Sequence, residues 1–116
     1  FQYTITGARR DWAQKNRALV VRFLHAYVKA CEFFYDPKNK ESAVRALADR
    51  TKAEKDEAEK TYALYMKTQK TIPRDGGIDV QGARKVAENW KDFGLQKTPP
   101  PVDSVIDLSY LAEARK

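Results

Sequence analysis

The stretch RALVVRFLHAYVKACEFFYDP, residues 17 to 37, sets the strongest limit on how this chain can fold. Between Leu19 and Tyr35 the strongly polar residues are Arg22, His25, Lys29 and Glu32, whose spacing gathers them on one narrow stripe of a helix. Val20, Phe23, Leu24, Tyr27, Cys31 and Phe34 form a core stripe, and Val21, Val28, Ala30, Phe33 and Tyr35 make the flanks apolar as well. A helix that is apolar on nearly all sides is normally covered on nearly all sides. Arg22, His25 and Lys29 interrupt the run well short of the roughly 20 apolar residues of a membrane span, so the cover has to be protein.

How much cover the chain can supply depends on its length. At 116 residues it is one domain's worth, or a piece of one. Phe1 is not a methionine, and FQYTITG has neither the basic start nor the long apolar run of a signal peptide. The expectation is a chain cut, matured or excerpted from something longer. FQYTIT itself reads as a strand, with aromatic and β-branched residues alternating with polar ones and Gly7 ending it. One strand cannot make a sheet, so it too needs a partner.

The net charge of +6 raises the question of nucleic acid, and its distribution answers it. Basic residues are scattered, and the densest charged run, KAEKDEAEK, mixes three lysines with Glu54, Asp56, Glu57 and Glu59. Such a run is a solvated helix face with i,i+4 pairs, not a phosphate-binding stripe, so no nucleic-acid partner is expected. The single cysteine, Cys31, rules out an internal disulfide and reads as a small buried hydrophobe. His25, the one histidine, has no nucleophile or metal-binding companion at a fixed spacing. Asp75-Gly76-Gly77 lacks the Lys-Ser/Thr of a phosphate loop, and paired carboxylates such as Asp56 and Glu57 lie on the solvated helix face, which is no setting for acid–base catalysis. No catalytic residue, metal site or cofactor is expected.

Along the chain, ARRDWAQKN opens a helical segment, and Asn16 can cap a second start into a helix from about Arg17 to Phe34. Asp36-Pro37 stops that helix. Asp36, or Asn39 one turn later, caps a helix burying Ala43, Val44, Leu47 and Ala48 and ending near Arg50. Thr51 and Glu54 have capping-box spacing, predicting a helix from Lys52 with Ala58, Thr61, Tyr62, Tyr65 and Met66 inward. KTIPRDGGID is a loop, after which Asp79 caps a helix burying Val80, Ala83, Val86, Ala87 and Trp90, with Gly94 its stop. Residues 97 to 103, KTPPPVD, form a stiff polyproline-type arm to a terminal helix over 104 to 115, capped by Asp107 and carrying Leu108, Tyr110, Leu111 and Ala114. The fold class expected is mainly α, with four to five helices and one N-terminal strand.

Three stretches, taken in order, carry a resemblance. RRDWAQKNRALVVRFLHAYVKACEFFYDPKNKESAVRAL resembles the late portion of solute-binding proteins of ABC importers, in the branch related to nitrate, sulfonate, taurine and thiamine-precursor binding. TYALYMKTQKTIPRDGGIDVQGARKVAENWKDFGL looks similar through its tyrosine-bearing helix, proline–glycine loop, Ile78-Asp79 helix start and Phe93-Gly94-Leu95 close. The end, Val105 to Ala114 with Asp107, Ser109, Tyr110, Leu111 and Ala114, resembles the terminal element of the same proteins.

The resemblance implies that residues 1–116 are a single C-terminal segment, the final third or so of a two-lobe α/β periplasmic binding protein. It implies as partners the missing N-terminal lobes, an ABC permease and a small-molecule ligand, with a periplasmic location and no enzymatic activity. The cysteine-rich motif of relatives that use this fold enzymatically does not occur here. Most ligand contacts would come from the absent part. Within this chain, Arg9 and Arg10 at the strand-to-helix junction are the candidate ligand-binding residues, their guanidinium groups suited to an anion. The alternative expectation is a stand-alone helical interaction module that homodimerises and has no ligand site of its own; as an isolated chain it is expected to associate with itself, by exchanging its N-terminal strand or its proline-hinged tail.

Overall fold

In the computed structural model, which describes residues 5 to 116, α2 (Arg17–Tyr35) is the spine on which the other elements are hung. It is preceded by α1 (Arg10–Lys15) and followed by a 3-10 turn (Pro37–Asn39), α3 (Lys40–Thr51) and α4 (Lys55–Tyr62). A π-helix (Ala63–Thr68) extends α4; then come α5 (Val80–Asp92), α6 (Val102–Val105) and α7 (Ser109–Ala114). The mainly helical class expected from periodicity holds, with more and shorter helices than the four to five foreseen.

The foreseen strand does not form where it can be followed. Phe1–Thr4 lie outside the described residues, and Ile5 and Thr6 are irregular, with Ile5 71% exposed. Among the described residues no second strand offers the ladder bonds that would hold it.

Two sets of contacts flank α2. Toward its C-terminal end, α3 and α4 pack as a hairpin around Ala43, Val44, Ala58, Tyr62 and Met66, and Phe34, Tyr35, Leu47 and Ala48 close this core. Burying side chains such as Val44 and Met66 contributes roughly 1.5–3 kcal/mol each. Tyr62 Oη donates to the Phe34 carbonyl at 2.7 Å, and the Lys40–Glu59 ion pair at 2.8 Å closes the hairpin's rim. On the other flank α7 lies against α2 with Tyr110, Leu111 and Ala114 buried. Glu113 pairs with Arg17 at 2.7 Å, the same guanidinium sits 4.4 Å over the Tyr110 ring, and His25 Nδ1–H donates to the Ala114 carbonyl at 2.8 Å.

The helix junctions differ from the capping pattern read in the sequence, for local hydrogen-bonding reasons. Asn16 turns its amide back to the Trp12 carbonyl at 2.9 Å rather than capping α2. Asp36 Oδ1 accepts from the Lys38 amide and so opens the 3-10 turn, while Asn39 reaches back to the Phe33 carbonyl. Thr51 is the last residue of α3: its hydroxyl donates to the Leu47 carbonyl at 2.7 Å, which removes it from any capping box. Lys52 then takes a left-handed φ of 58°, and α4 starts at Lys55, three residues later than expected. The π form past Tyr62 holds Met66 in the core but leaves Leu64 and Tyr65 exposed, where a continuous α-helix would have buried Tyr65.

Past the 73–77 loop, Asp79 caps α5 as read, its carboxylate accepting from the Gly82 amide at 2.9 Å. Gly94 ends the helix with φ +68°, and the Leu95 and Gln96 amides turn back onto the Trp90 carbonyl. The expected burial of the α5 face does not occur in full. Val80, Ala83, Val86 and Ala87 are half-buried and Trp90 is 48% exposed; among the described residues α6 is the helix that α5 chiefly packs on. Val102–Val105 forms a one-turn helix after the prolines, and Asp107 Oδ1 accepts from the Ser109 amide to start α7, so the single terminal helix expected over 104 to 115 is split in two.

The radius of gyration, 16.6 Å, exceeds the roughly 13 Å of a compact domain near this size. The accessible surface, 9066 Å², compares with about 6,500 Å² for a compact monomer of this mass. The helices expose far more surface than a closed globule would.

Candidate interaction surface

The excess surface has a definite address on α2. Its buried residues are Val28 and Cys31, with Val20, Val21, Leu24, Phe34 and Tyr35 half-buried around them. The covered stripe therefore runs through Leu24, Val28 and Cys31. Phe23 and Tyr27, read from sequence as core, are 54% and 39% exposed. α7 packs along α2, Gly76 of the 73–77 loop sits close against the Val28 and Tyr27 side chains, and Phe23 is left largely in solvent.

Leu19, Phe23, Tyr27 and Phe33 thus remain in solvent, with Ala26 and Ala30 between them. Their spacing places them on one continuous helix face, well round from the α7 contact. This second apolar stripe is bordered on one side by exposed Arg22 and Lys29, the latter paired with Glu32 at 3.0 Å. The face is apolar and carries charge along one border.

The sequence-derived ligand candidates lie elsewhere and point to different partners. Arg9 forks onto Asp11, at 2.9 Å from Nη2, with its side chain 83% exposed. Arg10 instead donates to the Ser104 carbonyl, tying α1 to the segment after the prolines. Each guanidinium is engaged within the fold, and the two do not converge on a common point. His25, in the polar stripe, serves as a clasp on the end of α7.

An open depression of about 660 Å³ is lined by Glu32, Asp36, Pro37, Lys38, Arg74 and Asp75. Its carboxylates are already committed: Glu32 to Lys29, Asp36 to the Lys38 amide, and Asp75 to Arg115 and the Gly77 amide. Among the described residues no group of His, Cys, Asp and Glu could hold a metal ion, and no helix is long and apolar enough to cross a membrane. Burial pushes the Cys31 thiol pKa up, away from a reactive thiolate.

Sequence reasoning missed a second exposed apolar group, Trp90, Phe93 and Leu95, at 48%, 77% and 71% exposure. The signal was present: Phe93 and Leu95 flank Gly94, whose left-handed turn throws both side chains out from the end of α5. Compared with family models, with curated proteins and with solved structures, the chain matches none.

Proposed function

We propose that this chain is the C-terminal part of an extracytoplasmic solute-binding protein that delivers a small nutrient to an ABC importer. In this reading α2 is sandwiched in the complete protein between the chain described here and the lobes that precede it. The observation that carries the reading is the open stripe of Leu19, Phe23, Tyr27 and Phe33 on a helix already covered on its other side. The positions that bear the family resemblance support it, because they fall at structural junctions. Asp36-Pro37 ends α2, Asp79 caps α5, and the Asp107–Ala114 element folds back onto the spine. The chain supplies the bracing helices of such a protein, and its role is scaffolding and not chemical.

Area decides against a second copy as the cover of this stripe. Phe23, Tyr27 and Phe33 keep 54%, 39% and 39% of their surface exposed, so at 150–250 Å² per aromatic side chain two such stripes facing each other would bury about 400–700 Å² from these rings. Stable specific interfaces need about 1,200 Å² or more, so a larger partner is required. Reading the gene upstream of the Phe1 codon tests the proposal. The expected result is a coding stretch long enough for two α/β lobes, preceded by an export signal. An initiation codon immediately before Phe1 would overturn it.

A further inference from the structure

We propose that two copies of this chain exchange their C-terminal segments, so that α6 and α7 of each dock on α5 and α2 of the other. Residues 93 to 101 are the hinge. This inference uses a different surface from the open α2 stripe and does not rest on the transport reading.

The docking of α7 is local and self-contained. Tyr110, Leu111 and Ala114 are buried, Glu113 meets Arg17, His25 holds the Ala114 carbonyl, and Arg115 donates to the Asp75 carbonyl. The segment just before it is latched by Arg84 on Asp103, at 2.7 and 2.8 Å, and by Arg10 on the Ser104 carbonyl. Every one of these contacts is equally satisfied when the segment comes from a neighbouring copy. A six-residue helix does not persist alone, so α7 forms only against an α2, its own or another's.

The hinge favours reaching outward. Residues 93 to 101 have no regular secondary structure, and Pro99, Pro100 and Pro101 impose an extended polyproline path of roughly 9 Å that resists folding back. Beside it stand Trp90, Phe93 and Leu95, which the monomer leaves in solvent. In an exchanged pair the two hinges run past each other about a two-fold axis and bring these side chains of the two copies together. The exchange thus keeps the whole set of docking contacts and adds apolar burial that the monomer lacks, the condition under which swapping is favoured as concentration rises.

The test combines light scattering with site-specific cross-linking, using chains in which Cys31→Ala removes the native thiol. One chain carries Arg17→Cys and a second, differently tagged, carries Glu113→Cys; both positions are exposed. The two are unfolded together, refolded and treated with a short bismaleimide. The expected result is a dimer whose fraction rises with concentration and which yields a cross-linked pair containing both tags. Phe93→Ser with Leu95→Ser is expected to weaken that dimer tenfold or more while leaving monomer helicity unchanged. A monomer at every concentration would overturn the exchange, and so would a dimer that gives no mixed-tag product.

Discussion

Tyr62→Phe separates the two contributions that fasten the α3–α4 hairpin to the spine. The last carbonyls of α2 lack intrahelical partners, as in any helix, and the chain supplies them one by one. The Asp36 amide takes that of Glu32, the Asn39 side chain that of Phe33, and the Tyr62 hydroxyl that of Phe34 at 2.7 Å. Tyr62 is 4% exposed, so its replacement by Phe keeps the ring burial and removes only the hydrogen bond. Leaving a half-sequestered carbonyl without its donor costs about 1–2 kcal/mol. For a chain of this length that lowers the melting temperature by roughly 4–8 °C, read by circular dichroism at 222 nm and checked by urea unfolding at unchanged slope. Tyr62→Ala removes the ring as well and should cost about 3–5 kcal/mol, so the difference between the variants measures the packing alone. A Tyr62→Phe loss under about 0.3 kcal/mol, with the Ala variant still severe, would refute the clasp.

Further outcomes follow from the loops, the buried thiol and the acid groups. Gly76→Ala forces a side chain into a left-handed position and sets its Cβ 3.1 Å from Val28 Cγ2, whereas Gly94→Ala at φ +68° meets nothing within 4 Å. Gly94→Ala should therefore cost about 1–2 kcal/mol from backbone strain alone and Gly76→Ala measurably more, which thermal unfolding of the two variants compares directly. Cys31, 4% exposed and with its pKa raised by burial, should react with iodoacetamide only as fast as the chain opens, and a rate equal to that of free cysteine would contradict its placement. The Gly82 amide holds the Asp79 carboxylate below its usual range, and the Ser109 hydroxyl and amide do the same for Asp107. Groups depressed on folding add stability that is present above their unfolded pKa, near 4, and disappears as pH falls through the lower folded value. Helicity should hold from neutral pH down to about 4 and then decline, and Asp79→Asn with Asp107→Asn should flatten that acid limb.

What the sequence made legible was whatever depends on near neighbours along the chain. The span of α2, its stop at Asp36-Pro37, the cap at Asp79, the stop at Gly94 and the Asp107 turn just before α7 all follow from groups meeting a few residues apart. The wrong starts share a cause. Asn16 and Thr51 are capping residues that can bond backward to the preceding turn as readily as forward, and both bond backward, to Trp12 and Leu47. Which side of α2 is covered was not legible, because an all-round apolar helix carries no periodic signal for the choice. The choice is made by α7 arriving from more than eighty residues away, anchored on Arg17 and His25. The candidate pair Arg9 and Arg10 looked like a unit in sequence, yet Asp11 takes one guanidinium and Ser104 the other. The surplus of apolar surface on α2 was legible in advance, and the open stripe is where it lies.

Hydroxyl-radical footprinting read by mass spectrometry measures that stripe most directly. In this chain alone, Phe23 and Phe33 should label at the rate of exposed aromatic residues while Tyr62 and Tyr110 are protected. In the longer protein that the proposed function calls for, Phe23 and Phe33 should become protected as well. Strong protection of Phe23 and Phe33 in the isolated chain would contradict the open face, and equal labelling in the complete protein would contradict its burial there.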